Sequence, residues 1–290
     1  MAVATLIPDS LLAEVLRRLG VDRPESPDLA GLTRIYAAWC EQVPFDNVLK
    51  IVHLAEGRSN PLPGSSAADF FTSWLATGAG GTCWAGNGAL HDLLARLAYS
   101  VERAAATMLV TPDVPPSNHG SVIVAIGDER YVVDASILMG VPLRLPRPGE
   151  LPEPAPNALP RTELRGNTYF IVWPNPRHPD GLPCRFDRIG VDAAEWDALH
   201  QRTGIWSPFN YAVNARANRG AHAIGLANGH RFAFEADGTF SQAPRDRAGR
   251  ERFLTEELGL DPELVARLPD DRPLPPAPEG FPVRPPEPQP

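Results

Sequence analysis

The chain has 290 residues, 43% of them hydrophobic and 21% charged, with 33 prolines and a formal net charge of −8. That length supports a sizeable core and up to three small domains, and the acidic balance leaves no broad basic face for nucleic acid or an anionic membrane surface. No stretch approaches the roughly 18 apolar residues of a membrane span, and the N-terminal stripe is interrupted by Glu14, Arg17 and Arg18 without a basic n-region. The expectation is a soluble, cytoplasmic protein.

The first hundred residues read as helices. Pro8 and Asp9 open one with Leu11, Leu12, Val15, Leu16 and Leu19 on a face, stopped by Gly20. Pro27 and Asp28 open a second, carrying Leu29, Leu32, Ile35, Tyr36 and Trp39 until "QVPFDN" ends it. Ser66 opens a third, with Phe70, Phe71, Trp74 and Leu75, closed near Gly78. A fourth runs on from Thr82 through Leu90, Leu93, Leu94 and Leu97. After Tyr99 the period falls to two. "VERAAATMLV", "GSVIVAI" and "RYVVDA" read as strands, the last two joined through "GDE". Residues 141–160 are too proline-rich for a central strand and read as a surface loop. "NTYFIVWP" and "CRFDRIG" resume the strands, a helix follows at "DAAEWDALHQR", and three runs between 209 and 240 form a small antiparallel sheet. "ERFLTEELGL" and "DPELVARL" are closing helices, and residues 269–290 form an extended, weakly ordered, passive tail.

Cys40, Cys83 and Cys184 are odd in number, far apart and without a CxxC pair, which argues against a disulfide framework and a zinc site. The stretch "TGAGGTCWAGN" around Cys83 has no Gly-Lys-Ser/Thr end and is no phosphate loop. His91 lies about 12 Å of helix rise further on and shares no ligand sphere with Cys83. Position alone leaves two readings of Cys83: a buried small hydrophobe, or a nucleophile in the first turn of a helix, where free amides and the dipole favour a thiolate, with Gly80 and Gly81 leaving its approach open.

A nucleophile needs a base and an orienting carboxylate. A two-residue turn at Gly127 and Asp128 sets Asp134 opposite Ser121, diagonal to His119 on the same face at roughly 7–8 Å between backbones. A three-residue turn would send Asp134 to the other face. Asp134 closes an apolar strand, where a bare carboxylate is costly without a partner. His53, His178, His200, His222 and His230 lack such a context and read as structural or exposed.

With these residues assembled, the chain resembles the arylamine N-acetyltransferase family over about residues 5–260. Ala79-Gly80-Gly81-Thr82-Cys83-Trp84-Ala85-Gly86-Asn87 is similar to the family's R-G-G-x-C-x-E-x-N, and "VPFDN" at 43–47 to its "VPFEN". His119 and Asp134 fall where its catalytic histidine and aspartate stand, and "WSPFNYAVNARA" resembles the entry to its third domain. The resemblance implies an α+β fold of three domains with a cysteine-protease-like core: a helical bundle (1–98) carrying the nucleophile, an antiparallel β-barrel (99–190) carrying His119 and Asp134, and an α/β lid (191–268), followed by the tail (269–290). It also implies ping-pong acyl transfer from a thioester, acyl-CoA or acyl carrier protein, through Cys83 to a small-molecule amine. His119 acts as general base and acid, Asp134 orients it, and backbone amides near Cys83 serve the oxyanion. No permanently bound cofactor and no metal is expected.

Two departures bear on the substrate. The motif's arginine and glutamate are Ala79 and Ala85, so an ion pair between them would be lost as a unit; and where the family has "VGFG" after the aspartate, Ala135, Ser136, Ile137 and Leu138 follow. An amide synthase that releases or cyclises a polyketide chain in natural-product biosynthesis is the close alternative. A transglutaminase- or papain-like thiol hydrolase and a non-catalytic binding protein are the distant ones. Arg216, Arg219 and Arg231 are candidates for coenzyme phosphates, set against the ordinary role of surface arginines.

Overall fold

A computed structural model of the chain describes residues 7–110, 115–150, 159–175, 178–220, 222–235, 237 and 239–283. The change of period near residue 99 separates helices from strands as read. α1 (Asp9–Leu19) buries Leu12, Val15, Leu16 and Leu19 and stops at Gly20, which takes the left-handed φ of +71°. α2 (Leu29–Gln42) is capped by the Asp28 carboxylate, which accepts from the Gly31 amide at 2.7 Å. β1 is two residues long (Phe45–Asp46). α3 (Val48–Ala55) then follows, a helix that periodicity and caps did not predict. It is short for a periodic pattern, and its start is set by Asp46, whose Oδ1 accepts from the Val48 amide at 2.9 Å. α4 (Ala67–Thr77), capped by Ser66, and α5 (Cys83–Arg96) complete the helices of this part. Its core is an aromatic stack: Trp39 lies on Phe70 at 5.7 Å and edge-on to Phe71 at 5.9 Å. Leu90, Leu93 and Leu94 of α5 are fully buried beside them.

β2 (Ser100–Met108), β3 (His119–Ile126), β4 (Glu129–Val133), β5 (Leu143–Arg144), β6 (Arg161–Arg165), β7 (Thr168–Asn175) and β8 (His178–Ile189) form one antiparallel sheet of seven strands in the order β5-β4-β3-β2-β8-β7-β6. The sheet curls into a nearly closed barrel around Ala104, Ala106, Ile123, Ile171, Trp173 and Phe186. Within 141–160 the loop reading needs one correction: Leu143 and Arg144 pair with Val132 and Tyr131 as a short edge strand. The prolines at 142 and 146 flank that ladder, where a missing N–H costs nothing. Residues 151–158 lie outside the described residues.

α6 (Ala193–Ile205) leads into β9 (Ala215–Arg219), β10 (His222–Ala227), β11 (His230–Phe234) and β12 (Phe240–Pro244), then α7 (Arg247–Arg252), a π turn and α8 (Pro262–Ala266). The second sheet runs β1-β9-β10-β11-β12, so the strand beside α3 pairs with a strand from the far end of the chain. One apolar cluster accordingly joins Val48, Ile51, Val52 and Ala79 to Ala215, Ala217, Phe253, Leu254 and Leu264. The proline-rich stretch is extended, as its composition predicts, but over 269–283 it is tied down rather than passive. The Arg250 guanidinium meets Asp271 at 2.7 Å, the Trp206 indole donates to the Pro275 carbonyl at 3.0 Å, and the Phe281 ring packs on Trp206 at 5.6 Å. Residues 284–290 lie outside the described residues.

Candidate active site

Cys83 is placed by the loop ahead of it. Gly78 ends α4 in the left-handed region, and the chain then runs beside β1, with Gly81 bridging Phe45 and the Gly80 amide donating to Asp46 Oδ2 at 2.7 Å. A Cβ on Gly80 would lie 1.9 Å from the Pro44 carbonyl oxygen. That glycine therefore serves a close backbone approach, rather than an open path to the sulfur. Among the described residues no cation pairs with Asp46; burial pushes its carboxyl up to about 6, against the pull of the Val48 and Gly80 amides. Thr82 stands at the N-cap position in extended conformation but makes no side-chain cap bond. Cys83 is then the first residue of α5, at a helix end whose leading amides have no intrahelical acceptor. Behind it, Trp84 and Trp196 meet edge-to-face at 4.7 Å, and the Trp196 indole donates to the Trp84 carbonyl at 3.2 Å.

The hairpin has the two-residue turn. Gly127 takes a φ of +57°, and Val122 faces Val133 and Ile126 faces Glu129; glycine at the first turn position is the type II′ pattern. His119, first residue of β3, and Asp134, just past β4, therefore share a face, and His119 Nε2 lies 2.7 Å from Asp134 Oδ2. The other carboxylate oxygen accepts from the Ser136 amide at 2.9 Å, the Ser136 hydroxyl at 2.6 Å, the Ile137 amide at 3.2 Å and the Asn87 amide group at 3.3 Å. Asn87 also donates to the Gly120 carbonyl at 2.7 Å and accepts from the Ala135 amide at 2.9 Å, which locks α5 to both strands of the hairpin. The Tyr36 hydroxyl donates to the Asp134 carbonyl at 2.9 Å and accepts from its amide at 3.1 Å.

This setting fixes the charges. Burial alone disfavours the imidazolium of His119, but the charge and hydrogen bond of Asp134 outweigh it and, with the adjoining Cys83 side chain, hold His119 up to about 10. Burial likewise opposes ionisation of Asp134, and His119 and Ser136 reverse that, bringing it to about 2. Cys83 Sγ lies 3.9 Å from the Asn118 carbonyl and lines the cavity with His119. The other two cysteines differ: burial pushes Cys40 up to about 12 and Cys184 well above the usual thiol range.

Among the described residues no other histidine joins this site. His91 contacts Asp92, His222 contacts Glu235, His230 contacts the Asn228 carbonyl, and burial lowers His53 and pushes His200 down to about 3. The His178 side chain lies outside the described residues. Among the described residues no cluster of three or more metal-ligating side chains occurs, and no helix is long and apolar enough to cross a membrane.

The departures acquire a physical meaning. Ala79 and Ala85 lie in two different apolar clusters, and Ala85 packs so closely that a Cβ on Gly64 or Gly81 would come within 2.5 or 2.9 Å of it. Ser136 stands where the resembled motif has its first glycine, and both its amide and its hydroxyl bind Asp134. Leu138 stands at the second glycine and holds a φ of +57°, at a strain glycine escapes.

Cys83 and His119 open onto a cavity of about 1510 Å³ lined also by Phe45, Ile137, Leu138, Trp206, Phe232 and the tail residues Leu274 and Phe281. Of the three candidate arginines, Arg231 is paired bidentately with Glu257 and Arg219 donates to the Glu257 carbonyl. Arg216 alone of them faces the cavity. Tyr36 is the residue whose place here sequence reading missed, since it sits in an ordinary core stripe of α2; Arg216 was singled out, but as a candidate for a coenzyme phosphate rather than for its place beside Tyr36 and Cys40. Asn87 lay within the quoted motif and Ser136 in the changed segment, so both carried a signal.

Residues 28–157 match the family model described as N-acetyltransferase. A curated arylamine N-acetyltransferase of Mycolicibacterium smegmatis is 31% identical over 129 residues, which is 42% of this chain and 45% of that protein, so the alignment spans less than half of the relative's length. The arylamine N-acetyltransferase of M. tuberculosis superposes with a TM-score of 0.74 at 19% identity, covering 89% of this chain and all 100% of that one. The Mycobacterium marinum enzyme, whose structure was determined in complex with CoA, does so with a TM-score of 0.72 at 18% identity over 89% and 98% of the two chains. The chain thus has the arylamine N-acetyltransferase fold. The resemblance to that family read from the motifs holds at the level of family model, curated relative and architecture alike.

Proposed function

We propose that the protein is an N-acyltransferase that takes an acyl group from a thioester, acetyl-CoA or a related acyl-CoA, onto Cys83 and passes it to an amine. The observation that carries this reading is the placement of Cys83 at the first residue of α5, facing the cavity beside an imidazole held by Asp134 at 2.7 Å. Nε2 of His119 is committed to Asp134, which leaves Nδ1 for the sulfur and the substrates.

The Cys83 thiolate attacks the thioester carbonyl, and its oxyanion is met by the free amides at the start of α5. As the tetrahedral intermediate collapses, the C–S bond to the donor breaks and the departing thiolate takes the proton of the His119 imidazolium. The amine then attacks the acyl-Cys83 carbonyl, gives its proton to His119, and the Cys83 thiolate leaves. Asp134 stays ionised and holds the ring orientation and charge through both halves.

The amide-synthase reading is favoured by one observation, the 1510 Å³ cavity, which exceeds the roughly 300–1,000 Å³ usual for small-molecule pockets and admits a long acyl chain. Intact-mass analysis after incubation with a panel of acyl thioesters tests both. The expected result is a single acyl adduct that Cys83→Ala abolishes and an amine discharges. A protein that hydrolyses peptides or amides and shows no adduct would be a thiol hydrolase instead.

A further inference from the structure

We infer that Arg216 is a carboxylate-recognition residue inside the reaction cavity, and that the protein acts on an anionic substrate, either an amine or an acyl chain bearing a carboxylate. This rests on the acyl-transfer reading above and deepens it by naming a substrate class.

β9 alternates as a strand must. Ala215 and Ala217 enter the apolar cluster behind the sheet, while Arg216 and Asn218 line the cavity, which Ala215 also borders. The residue paired with Arg216 is Phe45, which also lines the cavity and bridges Gly81, two residues before Cys83. Two strand spacings therefore separate the backbone of Arg216 from the nucleophile loop, roughly 10 Å, a span that an arginine side chain and a small aromatic acid fill together.

The guanidinium has no counterion among the described residues: no carboxylate pairs with Arg216, and its Nε is shut off from solvent with no hydrogen-bond partner. The ionisable neighbours acting on it are Cys40 and Tyr36, and burial holds both in their neutral, protonated forms. The other arginines around the cavity are occupied. Arg202 donates to the Pro116 and Ser117 carbonyls, and Arg272 lies over the Tyr211 ring at 5.7 Å. Just outside the cavity, Arg250 is paired with Asp271.

An arginine buried without its anion is costly. In a cavity wall next to a nucleophile it is a socket for a ligand's anion, and the planar fork of arginine suits a carboxylate bidentately. The chain's net charge of −8 repels anions in general, so an anionic substrate needs such a local cation to enter.

The test uses the full chain with two matched pairs of substrates. In the first arm acetyl-CoA acylates 4-aminobenzoate or its neutral analogue 4-aminobenzamide; in the second, succinyl-CoA or butyryl-CoA acylates a neutral aniline. The readout is the ratio of kcat/KM for the anionic over the neutral partner. In one arm the wild-type ratio is expected to exceed one, and Arg216→Met to lower it by about 100-fold, with Arg216→Lys recovering part. The responding arm tells whether the carboxylate rides on the acceptor or the acyl chain. Unchanged ratios in both arms, or equal losses for anionic and neutral partners, overturn the inference. Calorimetric titration of Cys83→Ala and Cys83→Ala/Arg216→Met with 4-aminobenzoate and with succinate separates this from the acyl-transfer reading. If no thioester acylates Cys83, that reading fails, while loss of carboxylate binding on removing Arg216 still supports the site and equal or absent binding in both proteins overturns it.

Discussion

On one side of the cavity the chemistry-bearing groups are held by many short bonds from neighbouring elements. Asp134 receives four hydrogen bonds on a single oxygen and a fifth contact from His119 on the other, Tyr36 fastens its backbone and Asn87 the next amide, that of Ala135. On the other side, β9, Trp206 and the 269–283 stretch present apolar faces and an unpaired guanidinium, joined by few polar contacts. The first wall is held by hydrogen bonds from several elements, and the second presents apolar surface and a cation to the cavity. The departures from the resembled motif fall on the first wall: Ser136 and Ile137 supply bonds to Asp134, and Ala79 and Ala85 are packed in the core around the Cys83 loop, so that wall has been rebuilt with Cys83, His119 and Asp134 kept in place.

That contrast can be broken most severely at Asp134. Asp134→Asn leaves the shape but removes the charge that holds His119 up to about 10, and kcat/KM for Cys83 acylation is expected to fall about 10³–10⁴-fold, read by stopped-flow release of the donor thiol. The pH behaviour follows from the same pair. His119 is raised from 6.5 to about 10, so its stabilising contribution is full below pH 6.5 and is lost as pH rises towards 10. Asp134 is lowered from 3.8 to about 2, so its contribution is present above pH 3.8 and is lost as pH falls towards 2. Thermal melts of His119→Gln against wild type should converge as the pH passes 10.

The next largest effect lies on the tail side. Asp271→Ala strands the Arg250 guanidinium, 5% exposed, and should cost about 3 kcal/mol in urea unfolding with little change in the rate of Cys83 acylation. Tyr36→Phe removes the hydroxyl bridging the Asp134 amide and carbonyl and should cost about 1–2 kcal/mol, together with a roughly 10-fold fall in kcat as Asp134 drifts. A smaller fall in rate than in stability would place Tyr36 with the packing and not with the positioning of the pair. The smallest effect is a control remote from both walls. Exposed Ala98 closes α5 at a φ of +66°, with the Tyr99 amide bonded to the Leu94 carbonyl and the Ala98 amide to Ala95. Ala98→Gly relieves that strain and should add roughly 0.5–1 kcal/mol of stability, without altering turnover.

The features legible in the sequence were those written locally. The stripes of α1, α2, α4 and α5, the Asp28 and Ser66 caps and the turn at Gly127 depend on residues a few positions apart, and the hairpin register that aligns His119 with Asp134 follows from that turn. What escaped depends on distant partners. α3 is eight residues long, too short for a period to show, and β1 is a strand only because β9 meets it. Tyr36 reads as one more core aromatic until the hairpin folds onto it. Arg216 reads as a surface arginine until its neighbours in β9 turn inward, and the tail reads as free until Trp206 supplies a donor and a ring.

The pairing of Phe45 with Arg216 also has a consequence for the order in which the molecule is made. The loop that presents Cys83 leans on β1, through Gly81 on Phe45 and Gly80 on Asp46, and β1 finds its strand partner only after the whole barrel has been synthesised. On the ribosome, a chain ended before β9 carries Cys83, His119 and Asp134 but lacks the strand that seats the Cys83 loop. Such a fragment should show Cys83 in a protease-sensitive segment and take up no acyl label, whereas in the finished chain that segment should resist protease and Cys83 should take up the label: the last sheet to form would complete the proposed site.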